Sequence, residues 1–373
     1  MYFLKRIVFV KRHVWFFRIY AVAASSYILT GLTPKTKYSV SIYNGDVKRG
    51  TRTFTTTESY PAGYDIVNVS DADMLNDIFA NPANYIQDNG GNVVLVFANG
   101  STTDYMGESM ELTIPADFKS VIFWGESGDT KPVFMPKGLS MAGSHDLIRF
   151  YNLDLQNTSS ANDYIVNFNV EGTVGEILID NCNISKTRGV VRVQSDGAKG
   201  SIGSINIDNC VLTDIGSYGV LQTKVSGFTL NSVSLSNSTV NTLSAGGVLV
   251  TQQNNVHISI DACTFYNCVA TGKSFIDINK MSNVTVDVKN TIIGQLYSYT
   301  AESTIKATSV KGIATTTNLF TTTDCPYNSG YEWGEILSVS STELFVNPAE
   351  GDFHIQSASQ SSVAGAGDPR WNE

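Results

Sequence analysis

The sequence predicts an all-β fold, a chain wound as a single-stranded parallel β-helix, and three observations carry that prediction. Apolar and polar residues alternate with period two inside short segments, the pattern of strands. A unit of the form apolar-x-apolar-x-Asn recurs about every 28 residues, which makes each repeat one coil. Neither a Leu-x-x-Leu-x-Leu frame nor a 3.6-residue periodicity appears, which excludes leucine-rich and helical repeats.

Composition agrees. The 373 residues are 42% hydrophobic, ample for a core, and only 16% charged. The polar remainder is rich in Asn, Ser, Thr and Gly, as in extracellular β proteins. With Lys+Arg 25 against Asp+Glu 34 the net charge is -9. Such a chain, lacking a basic tract, cannot neutralise a run of phosphates, so nucleic acid is excluded as a partner. The five cysteines are an odd number for a disulfide framework and form no CxxC or zinc-spaced Cys/His cluster.

The first segment, residues 1–26, is ambiguous. Lys5, Arg6, Lys11 and Arg12 resemble the charged region of a secretory signal and Ala21-Val22-Ala23 a cleavage site, but Arg18 interrupts the apolar stretch. An aberrant or truncated start explains it equally well. No apolar run reaches the length of a transmembrane helix.

Residues 27–58 come next. Their alternating apolar positions and Gly/Pro turn predict two or three short strands. Leu29, Leu32, Pro34, Thr36, Tyr38 and Val40 resemble the second half of a fibronectin type III domain. The resemblance casts Tyr38 as the corner residue that pins a sandwich strand. The front strands are missing, so a remnant module is expected. A linker, Ser59-Tyr60-Pro61-Ala62-Gly63, precedes the main domain at 64–373. There Ser70 and Asp73 mark a helix start, and Met74, Leu75, Ile78 and Phe79 share one face. The expected role is a lid on the open end of the coil stack.

The repeat itself aligns on Asn152, Asn181, Asn209, Asn237, Ala262 and Asn290, spaced 29, 28, 28, 25 and 28 residues apart. Positions two and four before and three after each are apolar throughout. The same beat extends back to Val121/Phe123 and Val94/Val96, giving eight turns in one register. The Asn is expected at a corner, bonding its own bend and the next coil. Leu153, Cys182, Cys210, Ser238, Cys263 and Thr291 follow as small space-filling residues. Val166, Val191, Leu221, Leu249, Ile276 and Ile305 form an inward column on a second strand. Phe168, Val193, Thr223, Thr251, Ile278 and Ala307 form the next.

These repeats, the helix, the fibronectin-like remnant and the ending from Leu344 to Trp371 (LFVNPAEGDFHIQ…AGAGDPRW) resemble an uncharacterised family of pectin-lyase-like proteins from polysaccharide-degrading gut bacteria. The resemblance covers residues 28–373. It implies a right-handed helix, a secreted or outer-cell-surface location and a role in polysaccharide utilisation. It brings no catalytic motif.

Two constellations are candidate sites. Outward residues of the second strand form two polar columns. One is Asn167, Arg192, Gln222, Val250, Asp277 and Lys306; the other is Asn169, Gln194, Lys224, Gln252, Asn279 and Thr308. Amides and charges repeated at about 5 Å per coil match successive sugar hydroxyls and carboxylates. The glycan-binding candidates are Asn167, Arg192, Gln194, Gln222, Lys224, Asp277 and Asn279; a solvated sheet face is the plain alternative.

The other column, Tyr151, Asp180, Asp208, Ser236, Asp261 and Lys289, precedes the Asn corner. In pectate lyases, carboxylates on neighbouring coils hold Ca²⁺ for β-elimination. The resemblance therefore nominates Asp180 and Asp208 as metal ligands, with Lys186, Arg188 and Arg192 nearby. Calcium needs about six to eight oxygens, and Ser236 breaks the column; Asp on a strand edge is the competing explanation.

Tyr297, Tyr299, Tyr327, Tyr331 and Trp333 are expected either to stack on sugars or to cap the helix end. His145 and His257 lack Ser or Cys partners, and His354 falls on the final strand. Three functions remain: a non-catalytic binder of acidic polysaccharide, a calcium-assisted polysaccharide lyase, and a surface spacer or adhesin.

Overall fold

A left-handed backbone residue at the same corner of successive coils sets the winding. Asn152, Asn181, Asn209, Asn237, Asn290 and Asn318 all have φ between 45° and 55°. Asn enters this region more readily than other side-chain-bearing residues, because its short amide bonds locally. Asn152, Asn181, Asn209 and Asn237 each lie between two strands, as Asn181 does between Gly172–Asp180 and Asn183–Val193, while Asn290 and Asn318 lie within Thr285–Ile293 and Ala314–Thr321. The computed structural model describes residues 4–11, 14–22, 32–33, 36–44, 46–56, 58–87, 89–108, 111–193, 199–225, 227–244, 246–278 and 281–372. It divides into two units, residues 1–62 and 63–373.

The smaller unit is an antiparallel sheet in the order Val14–Val22, Leu4–Lys11, Lys37–Asn44, Val47–Thr55. The ambiguous start therefore supplies two strands beside the fibronectin-like pair. Tyr38 is buried, and its hydroxyl accepts from the Thr33 amide at 2.9 Å, tying the strand to the chain five residues upstream. Leu29 and Pro34 lie outside the described residues.

The larger unit is mostly β, a parallel β-solenoid of about nine turns with few helices. Its first rung is Asp65–Val69, paired in parallel with Asn92–Phe97. The helix Ala72–Ala80 follows that rung rather than preceding the β region. Asp71, not Ser70, caps it by accepting from the Met74 amide. Leu75, Ile78 and Phe79 are buried, with Phe79 edge-on to Phe118 at 5.5 Å.

The predicted inward columns stack in register from Ile148/Phe150 through Ile177/Ile179, Ile205/Ile207, Val233/Leu235 and Ile258/Ile260 to Val286/Val288. Two stretches differ from the expectation. Val121 and Phe123 pair with Val93 and Leu95, not with Val94 and Val96. Every position of Val93–Phe97 is apolar, so alternation cannot tell its faces apart. Val94 and Val96 instead join Ile122, Trp124 and Tyr151 in a separate cluster. At the other end, Ile276 pairs with Thr308 rather than Ile305. The coil between them contains an extra turn, Thr300–Ser303, which shifts the register.

Inside the stack, Thr223 donates to Thr251 at 2.8 Å, so these buried hydroxyls satisfy each other. The five cysteines are buried and free. The C-terminal segment buries Leu344, Phe345 and Phe353 against Tyr266, Ile292 and Phe320. It then runs back along the corners. Gly367 N donates to Asn290 O at 2.8 Å, Asp368 accepts from Thr239 at 2.7 Å, and Arg370 reaches the Asn209 amide oxygen at 3.2 Å. Among the described residues no helix is long and apolar enough to cross a membrane.

Candidate functional site

The second strands bring Asn167, Arg192, Gln222, Val250 and Asp277 side by side, each paired with the next. The sequence-predicted column is in register from Asn167 to Asp277, but Lys306, expected beside Asp277, pairs with Ser274 instead, and the column's members are not alike. Val250 is buried and interrupts the polar run, and Asn167 is buried as well. Arg192, Gln222 and Asp277 are half-exposed and Lys224 is exposed. Gln194 and Asn279 lie outside the described residues.

The most elaborate part of this face surrounds Arg192. Its guanidinium lies 4.8 Å from the Tyr164 ring centre and 5.1 Å from that of Tyr218. Arg188 lies 4.4 Å from Tyr218. The two rings meet edge to face at 5.5 Å. Gly189, paired with both Tyr164 and Gly219, makes this possible, because a Cβ there would stand 2.8 Å from Tyr218 Cβ. Cation–π contacts of this kind contribute about 0.5–2 kcal/mol each, more as water is excluded. They hold the guanidinium groups against the rings.

A carboxylate completes the cluster. Glu111, two coils earlier, accepts from Asn167 Nδ2 at 2.7 and 2.9 Å, and from Asn169 Nδ2. Its side chain passes over Gly138, where a Cβ would lie 3.1 Å from the carboxyl carbon. Burial raises the Glu111 pKa, while the Asn167 hydrogen bond and the charges of Arg192 and Lys137 counter that rise and Asp163 adds to it. Burial likewise raises Tyr164, against Arg192 and Arg188.

Glu111, Tyr164, Tyr218 and Arg188 were not read as members of this site. Alternation puts Tyr164 on the same face as inward Val166, but Tyr164 opens its strand and its ring meets Arg192 instead.

The acidic column is in register too, Tyr151 with Asp180, Asp208 and Ser236. Its carboxylates face separate partners. Asp180 takes Arg149 Nη2 at 2.5 Å, and that guanidinium also lies 4.9 Å from the Tyr151 ring. Asp208 accepts from Ser236 at 2.6 Å and Asn237 at 2.7 Å. Among the described residues no group of three or more His, Cys, Asp or Glu is placed to hold a metal ion.

Near the C-terminal end, Trp333 is buried against Phe275 and donates to the Tyr327 hydroxyl at 2.8 Å, the capping role. Tyr299 is exposed, and Tyr331 lies under Lys306 and Lys311. His145 is buried between the carbonyls of Phe118 and Ala142. His354, on the strand Asp352–Ile355 as expected, pairs with Asp352 at 2.6 Å.

Stacked parallel coils with a polar lateral face define the class, a parallel β-solenoid protein. Within the chain, residues 258–371, the final coils and the C-terminal cap, match the model of a family described as "Domain of unknown function (DUF5123)". No curated protein and no solved structure matches the sequence.

Proposed function

We propose that this protein binds acidic polysaccharide on the lateral face built by the second strands, without itself cleaving it. The observation that carries the reading is the Arg188–Tyr218–Arg192–Tyr164 array. It sets two guanidiniums on aromatic faces beside Gln222, on coils about 4.8 Å apart. Guanidinium edges recognise carboxylates bidentately, and amides and rings suit sugar hydroxyls and faces. The partners engaging Asp180 and Asp208 favour this groove over a calcium-dependent lyase centred on that column. On this reading the solenoid is a right-handed, pectin-lyase-like helix, secreted or displayed on the outer cell surface for polysaccharide utilisation. The Tyr38–Thr33 bond supports a fibronectin type III-like remnant ahead of it.

The test is calorimetry with polygalacturonate and its methyl ester. Charge-assisted hydrogen bonds contribute about 1.5–3 kcal/mol each. An Arg192→Ala/Lys224→Ala variant is therefore expected to bind polygalacturonate at least about tenfold more weakly, with a smaller difference at high salt. Wild-type protein that binds none of an assortment of pectins and glycosaminoglycans overturns the proposal, and release of unsaturated uronides would restore the lyase.

A further inference from the structure

We propose that the Asn167/Asn169 amides form a carboxylate subsite for a uronic acid residue, and that Glu111 is its built-in occupant, which the ligand's carboxylate displaces. The inference rests on the acidic-glycan reading and adds a place for one carboxylate and a means of controlling it.

Three features carry it. Both Glu111 oxygens are held by amide N–H groups, with Asn167 bridging them and Asn169 on the second. That is how a planar carboxylate from any source would be received. Gly138 leaves open the coil that Glu111 crosses, so the side chain reaches the amides through a gap that any other residue would narrow. The cradle adjoins Arg192, whose charge acts on Glu111, and Arg192 anchors the tyrosine array. A sugar acid bound along the array thus meets a subsite already shaped for its carboxylate and already filled by one.

The charged groups acting on Glu111 are Arg192 and Lys137, which favour its ionised form, and Asp163, which opposes it. Two carboxylates do not share one amide pair at neutral pH, because like charges at contact repel. Glu111 must therefore leave or take up a proton when the ligand's carboxylate arrives. Burial raises its pKa, so acidification neutralises it while a more acidic uronate remains ionised. Binding then strengthens as pH falls from neutral toward about 5.

Glu111→Gln removes the charge and keeps the shape. At pH 7 this variant is expected to bind oligogalacturonide about five- to tenfold tighter than wild type, and the wild-type gain on acidification is expected to disappear. Methyl-esterified oligosaccharide, without a free carboxylate, is expected to show neither effect. Unchanged or weaker binding by Glu111→Gln at pH 7, in a variant whose melting matches wild type, overturns the inference. If the Arg192→Ala/Lys224→Ala variant still loses affinity in that same experiment, the binding groove stands and only the Glu111 subsite falls. If wild type binds no acidic glycan at any pH, both fall together.

Discussion

The first-strand and second-strand faces of the solenoid are built from the same residue types and use them in opposite ways. On the first face, outward polar groups bond their neighbours: Asp180 with Arg149, Asp208 with Ser236 and Asn237, and Asn181 with Asn152 at 3.1 Å. On the second face, the guanidiniums of Arg188 and Arg192 lie against tyrosine rings, 4.4 Å and 4.8 Å from the ring centres. A carboxylate with a bonded partner in its own wall contributes to stability. A cation held by a ring remains able to receive an anion. Column register alone does not distinguish the two; the identity of each partner does.

The largest expected effect breaks the comparison on the first face. Asp180 and Arg149 have side chains only 17% and 10% exposed. Asp180→Ala leaves a guanidinium largely out of water, and removing one partner of such a pair costs about 3–5 kcal/mol. Ile207→Ala, at a fully buried position, is expected to cost about 2–5 kcal/mol. Asp208→Ala loses two half-exposed hydrogen bonds and is expected to cost only about 1 kcal/mol. Chemical denaturation of the three variants measures the order. An Asp180→Ala variant no weaker than Asp208→Ala would mean that the first face is an ordinary solvated surface.

The corners and inward columns were legible because each rests on a local constraint. Asn is among the few residues that enter the left-handed region cheaply, and alternation marks a strand with one wet face. Val93–Phe97 lost its register because that signal vanishes when every position is apolar. The Arg192 column was legible as a column. The Glu111 contact was not, because it spans two coils and depends on what Gly138 lacks. Once the coil register is known, a Glu one coil before a Gly and two before an amide is a pattern that can be sought.

The two faces are also expected to differ in what pH changes: ligand affinity on the second, stability on the first. His145, on the first strand Gly143–Tyr151, is buried, and burial lowers its pKa despite the Phe118 and Ala142 carbonyls. Its folded pKa thus lies below the unfolded value of 6.5. The stability due to the neutral ring is fully present above about pH 6.5 and is lost as pH falls below it, because the unfolded chain then binds the extra proton. The slope cannot exceed about 1.4 kcal/mol per pH unit for one group. Denaturation at pH 7.5 and 5.5 is expected to show a loss of roughly 1 kcal/mol in wild type and a smaller one in His145→Gln. Equal losses would assign the effect to other groups.

The smallest effect tests the corner ladder that holds the two faces together. Ala262 has φ 53° at the one corner of the aligned set that lacks Asn. A left-handed residue with a Cβ costs about 1–2 kcal/mol, and Ala has no amide to offset it. Asn318 bonds the preceding corner amide, of Asn290, at 3.1 Å, whereas Asn290, like Asn237 on Asp208, bonds a carboxylate of the preceding coil, Asp261 at 2.9 Å. Ala262→Gly relieves the backbone but adds freedom to the unfolded chain, so a gain of a few tenths of a kcal/mol is expected. Ala262→Asn relieves it partly and offers Asn290 a rung, for an expected gain of about 0.5–1 kcal/mol. The C-terminal segment passes the same corner, with Gly367 on Asn290 O and Asp368 N on Thr264. Melting of the two variants separates the contributions. Asn above Gly means that the amide ladder itself stabilises the corners; Gly above Asn means that the returning tail needs the space a small residue leaves.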